Sequence, residues 1–342
     1  MAGQDIRKRI EIYDQTINNK DLIQPFPRTM LLEVSNICNH ACAFCANSKS
    51  DRNRGLIEKN LAKRILSEAY RLGTREVGFY ATGEPLVDKN LEEYISHAKE
   101  IGFEYVFITT NGVLFEPKRA HSVIDAGIDS IKFSINGANK EDYLLIHGRD
   151  DFDKVIENLK FISGLRHTHQ FKLYISFIMT KQTVGTKETF KSEYGKYVDD
   201  ILFFNCINQS GYMPELNNLL AIDGNAGGYN IDGVCPMIFN KLHVTYEGYL
   251  TMCCADFQNY LAVADLNKEP LQDAWNNQYA QALRKRHLSH DLNGTICANC
   301  IYNCNETCEP LVKEYASLFD MKKYDKSAEI EERITEWNYG NR

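Results

Sequence analysis

The chain has 342 residues, of which 44% are hydrophobic and 25% charged, and its 46 acidic and 39 basic side chains give a net charge of -7. This composition is typical of a globular protein and excludes a disordered chain. The acidic balance argues against a nucleic-acid partner, because such binding relies on many Lys and Arg side chains that neutralise phosphates. We find no secretory leader and no run of about 18 apolar residues, so we expect a cytoplasmic protein without a membrane partner.

Strand-like and helix-like patterns alternate between residues 30 and 207, which indicates a parallel sheet built from βα units. The predicted strands are 30–37, 76–80, 105–109, 130–135, 172–178 and 201–206. Amphipathic helical patterns separate them, among them 58–72, 91–101 and 152–162. The prediction is an α/β fold, a partial (β/α)6 TIM-like barrel, whose chemistry gathers at the C-terminal strand ends.

The remaining segments divide the chain further. Residues 1–29 are predicted to be a helical extension, and 30–207 the barrel core. The stretch 208–234 contains several Gly residues and a Pro that break regular patterns, so we interpret it as a linker. A small cysteine-rich domain is predicted at 235–308, followed by a charged helical tail at 309–342.

Three cysteines follow the first predicted strand with the spacing C-x3-C-x2-C: Cys38, Cys42 and Cys45. The chain has eleven cysteines, and in a reducing compartment such a number favours metal ligation over disulfides. A [4Fe-4S] cluster normally takes four thiolates, so three would leave one iron open. A zinc loop completed by a distant ligand, or three unrelated buried thiols, are the alternatives.

The triplet, with Phe44 before its last cysteine, resembles the signature of the radical S-adenosylmethionine (SAM) enzymes. The resemblance implies that SAM chelates the open iron and that a 5'-deoxyadenosyl radical removes a hydrogen atom from the substrate. It also implies a reducing partner such as flavodoxin or ferredoxin.

Other segments resemble the SAM-binding motifs of that family. Thr82-Gly83-Glu84-Pro85 is similar to its "GGEP" motif, with Thr in place of the first Gly. Similar segments follow the third and fourth strands, and 143–149 is similar to a segment whose Arg fixes the SAM carboxylate, with His147 at the usual Arg position. The resemblance implies SAM contacts at Phe44, Thr82, Gly83, Glu84, Asn111, Ser134, Asn136 and Arg149.

A second cysteine set lies near the other end of the chain, at Cys235, Cys253, Cys297 and Cys300. Taken alone, this spacing could equally be a structural zinc site. After a radical SAM core it resembles the SPASM or shorter "twitch" extension, which implies an auxiliary [4Fe-4S] cluster. Cys304 and Cys308 depart from the spacing of a two-cluster domain, so one auxiliary cluster is favoured over two.

We therefore expect radical oxidation or epimerisation of a carbohydrate-like or aminocyclitol small molecule. The short segment before the first strand disfavours an N-terminal peptide-binding domain. Cys254, adjacent to Cys253, is a candidate hydrogen donor for epimerisation, as are Cys206, Cys304 and Cys308. A peptide-modifying maturase is the alternative enzyme, and a non-catalytic zinc-binding protein is the third hypothesis.

Overall fold

The computed structural model of the chain describes residues 6–9, 21–213, 219–222 and 234–317. Nine strands form one sheet: β1 (Thr29–Leu32), β2 (Glu76–Gly78), β3 (Tyr105–Thr110), β4 (Ser130–Ser134), β5 (Lys172–Met179), β6 (Asp200–Asn205), β7 (Lys241–Val244), β8 (Tyr249–Thr251) and β9 (Ala262–Asp265). The strand order is β6-β5-β4-β3-β2-β1-β7-β8-β9. All pairs from β6 to β7 are parallel, and β8 and β9 are antiparallel. The predicted open barrel of six βα units is confirmed.

Ten α-helices have both ends within the described ranges: α1 (Lys59–Leu72), α2 (Leu91–Ile101), α3 (Pro117–Asp125), α4 (Lys140–His147), α5 (Phe152–Leu165), α6 (Lys187–Tyr194), α7 (Met237–Asn240), α8 (Leu271–Ala274), α9 (Gln278–Leu288) and α10 (Ile296–Tyr302). Capping residues explain where several of these helices begin and end. The Glu58 carboxylate accepts hydrogen bonds from the first-turn backbone of α1, and Gly73, at φ 118°, ends that helix in the left-handed conformation. None of the described helices has the length and apolar character needed to span a bilayer.

The first predicted strand, 30–37, is shorter in the structure, because β1 ends at Leu32. From Val34 onward the backbone no longer pairs with the neighbouring strands of the sheet. Val34 accepts a hydrogen bond from the Ile57 backbone, and Ser35 forms an isolated bridge with Leu56. This change of partner directs the chain into the cysteine loop.

The C-terminal segment adds strands to the sheet of the barrel. The sequence patterns do not predict this extension. Strand β7 pairs in parallel with β1, from Thr29 opposite Lys241 to Leu32 opposite Val244. An unpaired β1 would expose a row of backbone donors and acceptors. The cysteine-rich segment therefore covers the edge of the barrel sheet.

The predicted domain boundaries stay predictions. Within the predicted linker, 214–218 and 223–233 lie outside the described residues, as do 1–5, 10–20 and 318–342 of the two predicted terminal segments. The described start of the tail contains a 3-10 turn at Lys313–Tyr315.

The two faces of the sheet differ in polarity. Along β4, Ile131 and Phe133 are fully buried in the hydrophobic core, and Phe133 stacks on Phe115 in the loop before α3. Since side chains alternate along a strand, Lys132 and Ser134 point to the opposite, concave face. We call this concave surface the inward face.

A buried ion-pair network joins the barrel to the C-terminal segment. Arg52 and Glu33 are 3% and 1% exposed, and the Arg52 Nη2 atom lies 2.5 Å from Glu33 Oε2. Arg52 Nε also donates to Glu247 Oε1 at 2.8 Å, in the turn between β7 and β8. Glu33 accepts further hydrogen bonds from Thr82 and from the Tyr246 backbone. Burial opposes ionisation of Glu33, and these partners overcome it, so the pKa is lowered.

Replacing Arg52 by Leu should destabilise the protein by roughly 3–5 kcal/mol, because it leaves the Glu33 charge buried without its partner. The measurement is a urea titration of the cluster-loaded protein, followed by circular dichroism. Lys154→Leu, which removes an exposed ion pair with Glu116, is the control and should leave the midpoint unchanged. Equal midpoints for Arg52→Leu and the control would contradict the importance of the network.

Candidate active site and metal-binding cysteines

The first cysteine loop is held by backbone contacts. The Ala43 amide donates to the Ile146 carbonyl at 2.7 Å, which ties the loop to the end of α4, and the Cys45 amide donates to the Cys42 carbonyl at 3.0 Å. Burial, followed by the nearby Glu84 and Cys45 charges, raises the pKa of Cys38 to about 12. Such thiols ionise when a cation binds between them, so this donor set fits an iron-sulfur cluster.

Two buried histidines stand beside Cys42. The His147 Nδ1 atom lies 3.5 Å from Cys42 Sγ and 3.2 Å from His40 Nδ1, and His40 Nε2 lies 3.2 Å from Asp151. The backbone amide of Asn136 donates to His147 Nε2 at 3.1 Å, so the neutral imidazole carries its proton on Nδ1. His147 is thus oriented to donate toward Cys42 or His40.

These histidines form a connected cluster with Cys42, since one ligand atom from each lies within 4.8 Å of the others. Tyr143 stacks on His147 with 4.0 Å between ring centroids. The sequence analysis noted His147 merely as a replacement for Arg and did not identify His40. The position of His40 inside the C-x3-C segment was the available signal.

The loop after β2 packs directly against the segment before the cysteines. A Cβ atom on Gly83 would lie 2.3 Å from the Ser35 carbonyl oxygen, so a side chain has no room there. The Glu84 amide donates to the Ile37 carbonyl at 2.9 Å. Thr82 bonds to the buried Glu33 carboxylate. The structure therefore brings this motif alongside the cysteine loop.

The Glu84 side chain is hydrogen-bonded to neighbouring residues of the protein. Its carboxylate accepts hydrogen bonds from the Thr110 hydroxyl at 2.7 Å and from the Asn111 amide at 2.8 Å. Burial is the main reason that the pKa of Glu84 rises to about 6. Asn111 in turn donates to Asn39 at 2.7 Å and lies 3.9 Å from Cys38 Sγ. These bonds link the ends of β2 and β3 to the loop.

The other predicted SAM contacts lie in different surroundings. Phe44 is buried in the core, and Ser134 Oγ lies 3.4 Å from Ser176 Oγ on the inward face. Asn136 accepts a hydrogen bond from the Ile178 amide at 2.7 Å and bonds to His147.

Arg149 is solvent-exposed and lies 3.6 Å from the Asp151 carboxylate. Their roles as SAM contacts stay predictions.

The second cysteine set also comes together. Cys235 precedes α7, Cys253 follows β8, and Cys297 and Cys300 share one face of α10 at a spacing of three residues. Burial raises the pKa of Cys235 to about 12 and also raises that of Cys297, and the neighbouring thiols add to both effects. Cys253 is close to Cys235 and Cys300. Four thiols at one place, Cys297 buried and the other three partly buried, fit a cysteine-ligated cluster.

Cys254 lies beside Cys253 and Cys235 and also has neighbours outside the second cysteine set. Its Sγ atom lies 3.8 Å from Met237 Sδ, and it is close to His243, Lys241, Tyr80 and Lys132 on the inward face.

The remaining cysteines lie elsewhere. Cys304 and Cys308 both contact Asn299, whose side-chain atoms are 3.2 and 3.1 Å from their sulfur atoms. Cys206 is buried beyond β6. Assignment of ligands and of a hydrogen donor among these residues stays a prediction.

Comparison with known families agrees with this arrangement. Residues 32–191 match the radical SAM superfamily, and residues 235–301 match the iron-sulfur cluster-binding SPASM domain. The chain therefore belongs to the radical SAM superfamily and carries a C-terminal SPASM domain. Its cofactors are SAM and [4Fe-4S] clusters.

Individual curated relatives share a low sequence identity with this chain. A probable GTP 3',8-cyclase of Sulfurisphaera tokodaii is 29% identical over 154 residues, which are 44% of this chain and 47% of that protein. The chain spans about half the length of the first curated relatives it matches.

Two solved structures share the fold. BtrN in complex with AdoMet and 2-DOIA has a TM-score of 0.55 at 19% identity, over 86% of this chain and 98% of that one. Streptococcus suis SuiB bound to precursor peptide SuiA has a TM-score of 0.61 at 15% identity, over 81% and 69%.

Replacing His147 by Phe should make the reduction potential of the SAM-binding cluster more negative, because hydrogen bonds to the sulfur ligands help set cluster potentials. The measurement is a redox titration monitored by electron paramagnetic resonance. Tyr143→Phe is the control, since it keeps the stacked ring and removes a hydroxyl that has no hydrogen-bond partner among the described residues. An unchanged potential in His147→Phe would exclude the proposed contact to Cys42.

Replacing Cys253 by Ala should lower the iron content from about eight to about four atoms per chain, since one cube loses a ligand and the other keeps its three. Iron analysis after anaerobic reconstitution measures this directly. Cys42→Ala should instead abolish SAM cleavage. Cleavage that persists undiminished in Cys42→Ala would refute the assignment of the first cluster, and full iron in Cys253→Ala would refute that of the second.

Proposed function

We propose that this chain removes a hydrogen atom from a carbohydrate-like or aminocyclitol small molecule and converts an alcohol to a ketone, or epimerises the carbon. When bound, SAM and its cluster supply the 5'-deoxyadenosyl radical, and the auxiliary cluster supplies an electron acceptor. The chain's own contribution is to hold the substrate between the two cysteine sets.

The observation that carries this proposal is the polar inward face beside Cys254. Hydroxyl groups of Ser134 and Ser176 face each other there, and the Lys132 ammonium lies 5.8 Å from the centre of the Tyr80 ring. Hydroxyl and amine groups hydrogen-bond well to a polyhydroxylated molecule. Because Lys132 and Tyr80 are also close to Cys254, these groups extend to the neighbourhood of the second cysteine set.

Lys132 also suits the acid-base part of the oxidation. Burial, with a smaller contribution from the Lys241 charge, lowers the pKa of Lys132 to about 8. An amine of this kind accepts a proton near neutral pH, as loss of the hydroxyl proton requires. For epimerisation, the Cys254 thiol would return a hydrogen atom to the carbon radical.

The alternative is modification of a peptide. It is supported by the fold similarity to SuiB, whose structure contains the precursor peptide SuiA. The similarity to BtrN, solved with 2-DOIA, covers nearly the whole of that chain and supports the small-molecule proposal. Both likenesses are at low sequence identity, so the substrate must be tested directly.

The reduced, cluster-loaded enzyme should release 5'-deoxyadenosine in a substrate-dependent way with members of a sugar and cyclitol panel. The panel includes phosphorylated, carboxylated, neutral and amino derivatives, with GTP and short peptides as separate arms. Chromatography with mass spectrometry measures 5'-deoxyadenosine, and Cys42→Ala is the inactive control. Release with peptides alone would establish the alternative, and release with GTP alone would contradict both.

The product distinguishes the two outcomes. A ketone indicates oxidation, whereas an epimer formed in D2O should carry solvent deuterium. If epimerisation occurs, Cys254→Ala should abolish deuterium incorporation while leaving 5'-deoxyadenosine formation. Unchanged incorporation in that variant would exclude Cys254 as the hydrogen donor.

A further inference from the structure

The segment that follows β6 forms a left-handed turn. Its residues Gln209, Ser210 and Gly211 have φ angles of 50°, 59° and 79°, so three consecutive residues lie in the left-handed region. Residues other than Gly avoid this region, and a strained backbone persists only where its surroundings hold it in place. The contacts of the turn therefore need an explanation, although the sequence patterns indicate only a linker here.

The turn is fixed against the helix that carries two cysteines of the second set. Asn208 Nδ2 donates hydrogen bonds to the Asn299 and Cys300 carbonyls of α10 at 2.9 and 3.4 Å. A Cβ atom on Gly211 would lie 2.3 Å from Asn299 Cβ, so the backbone of the turn touches α10 directly. These contacts hold Ser210 at a defined place beside the second cysteine set.

Ser210 is aimed at a cysteine of that set. It is 4% exposed, and its hydroxyl oxygen lies 3.9 Å from Cys253 Sγ, within the longer range of hydrogen bonds to sulfur. The same sulfur accepts from the Ala255 amide at 3.3 Å and lies beside the Cys254 thiol. A cysteine ligates a metal as the thiolate, which has no proton to give. In the loaded protein the Ser210 hydroxyl must therefore be the donor.

The first cysteine loop shows the same arrangement of donors. There the Cys38 sulfur lies 3.5 Å from the His40 amide and 3.9 Å from Asn111 Nδ2. In both sets, one sulfur is approached by the amide two residues further on and by a polar side chain from the end of a barrel strand. The contact between Ser210 and Cys253 thus has a counterpart at the other cysteine set.

We propose that Ser210 is a positioning residue of the auxiliary cluster, and that its hydrogen bond to the Cys253 thiolate raises the reduction potential of that cluster. Reduction adds one negative charge to a cluster, and a donor at a ligand sulfur offsets part of that charge. The hydrogen bond therefore stabilises the reduced form.

This role deepens the function proposed above and rests on it. In the oxidation, the substrate radical loses one electron to the auxiliary cluster and its hydroxyl loses one proton, which leaves a ketone. A higher potential of the electron acceptor favours this transfer over the return of a hydrogen atom to the carbon. Ser210 would thus favour oxidation over epimerisation.

The test is a redox titration of the reconstituted holoenzyme, followed by electron paramagnetic resonance. Ser210→Ala and Ser210→Gly both remove the hydroxyl, and Gly also relieves the left-handed backbone. Both variants should shift the auxiliary cluster to a more negative potential and leave the SAM-binding cluster unchanged. SAM binds only the first cluster, so the signal that SAM addition does not alter belongs to the auxiliary cluster.

Ser192→Ala is the matched control, because it removes an exposed hydroxyl that bonds to the Thr189 carbonyl on α6. It should change neither potential. An auxiliary potential in Ser210→Gly equal to that of the wild type would overturn the proposal. So would loss of the auxiliary iron in that variant, since the side chain would then hold the loop rather than set the potential.

A second measurement detects the hydrogen bond itself. Electron-nuclear double resonance of the reduced auxiliary cluster, compared in H2O and D2O, should show an exchangeable proton in the wild type that Ser210→Gly lacks. Identical exchangeable-proton couplings in the two proteins would contradict the hydrogen bond.

These tests separate the role of Ser210 from the proposed function. A shifted auxiliary potential with no 5'-deoxyadenosine from any carbohydrate would keep the role and reject the function. Ketone formation from a carbohydrate, together with unshifted potentials in both Ser210 variants, would keep the function and reject the role.

Discussion

One buried carboxylate, that of Glu33, holds together the segments on which the site depends. It follows β1 directly and accepts hydrogen bonds from Arg52 beyond the cysteine loop, from Thr82 in the loop after β2, and from the Tyr246 backbone beyond β7. Moving a carboxylate from water to the protein interior is costly unless its lone pairs are satisfied. The three segments must therefore meet at this point, and their meeting positions both cysteine sets relative to one sheet.

The continuity of the sheet has a chemical consequence. Because β7 pairs with β1, the inward face of the barrel and the turn that carries Cys253 and Cys254 belong to one structure. Cys253 is directed to the other cysteines of its set, whereas Cys254 is close to Tyr80 and Lys132. Cys254 therefore lies between the second cysteine set and the inward face of the barrel.

Much of the core fold could be predicted from local patterns. Hydrophobic periodicity and the Gly and Pro residues that end helices and strands depend only on neighbours in sequence. The predicted bounds of α2 match the structure, and β1 was predicted too long because the backbone beyond Glu33 pairs with residues 56 and 57. Strands β7 to β9 were missed because they are three or four residues long, and their pairing with a distant strand is what makes them strands.

The cysteine spacings and the motif around Gly83 were sufficient to indicate the chemistry, because metal ligands on one loop and backbone contacts at a tight turn are local properties. Tertiary structure alone decided that His147 contacts Cys42 through Nδ1 while its Nε2 accepts from the Asn136 backbone, and that Glu33 joins three segments. Those contacts join strands and loops up to about 200 residues apart, and no sequence period encodes such a pairing. The sequence by itself determined the class of enzyme, and the packing of the strands determined which side chains lie on the inward face.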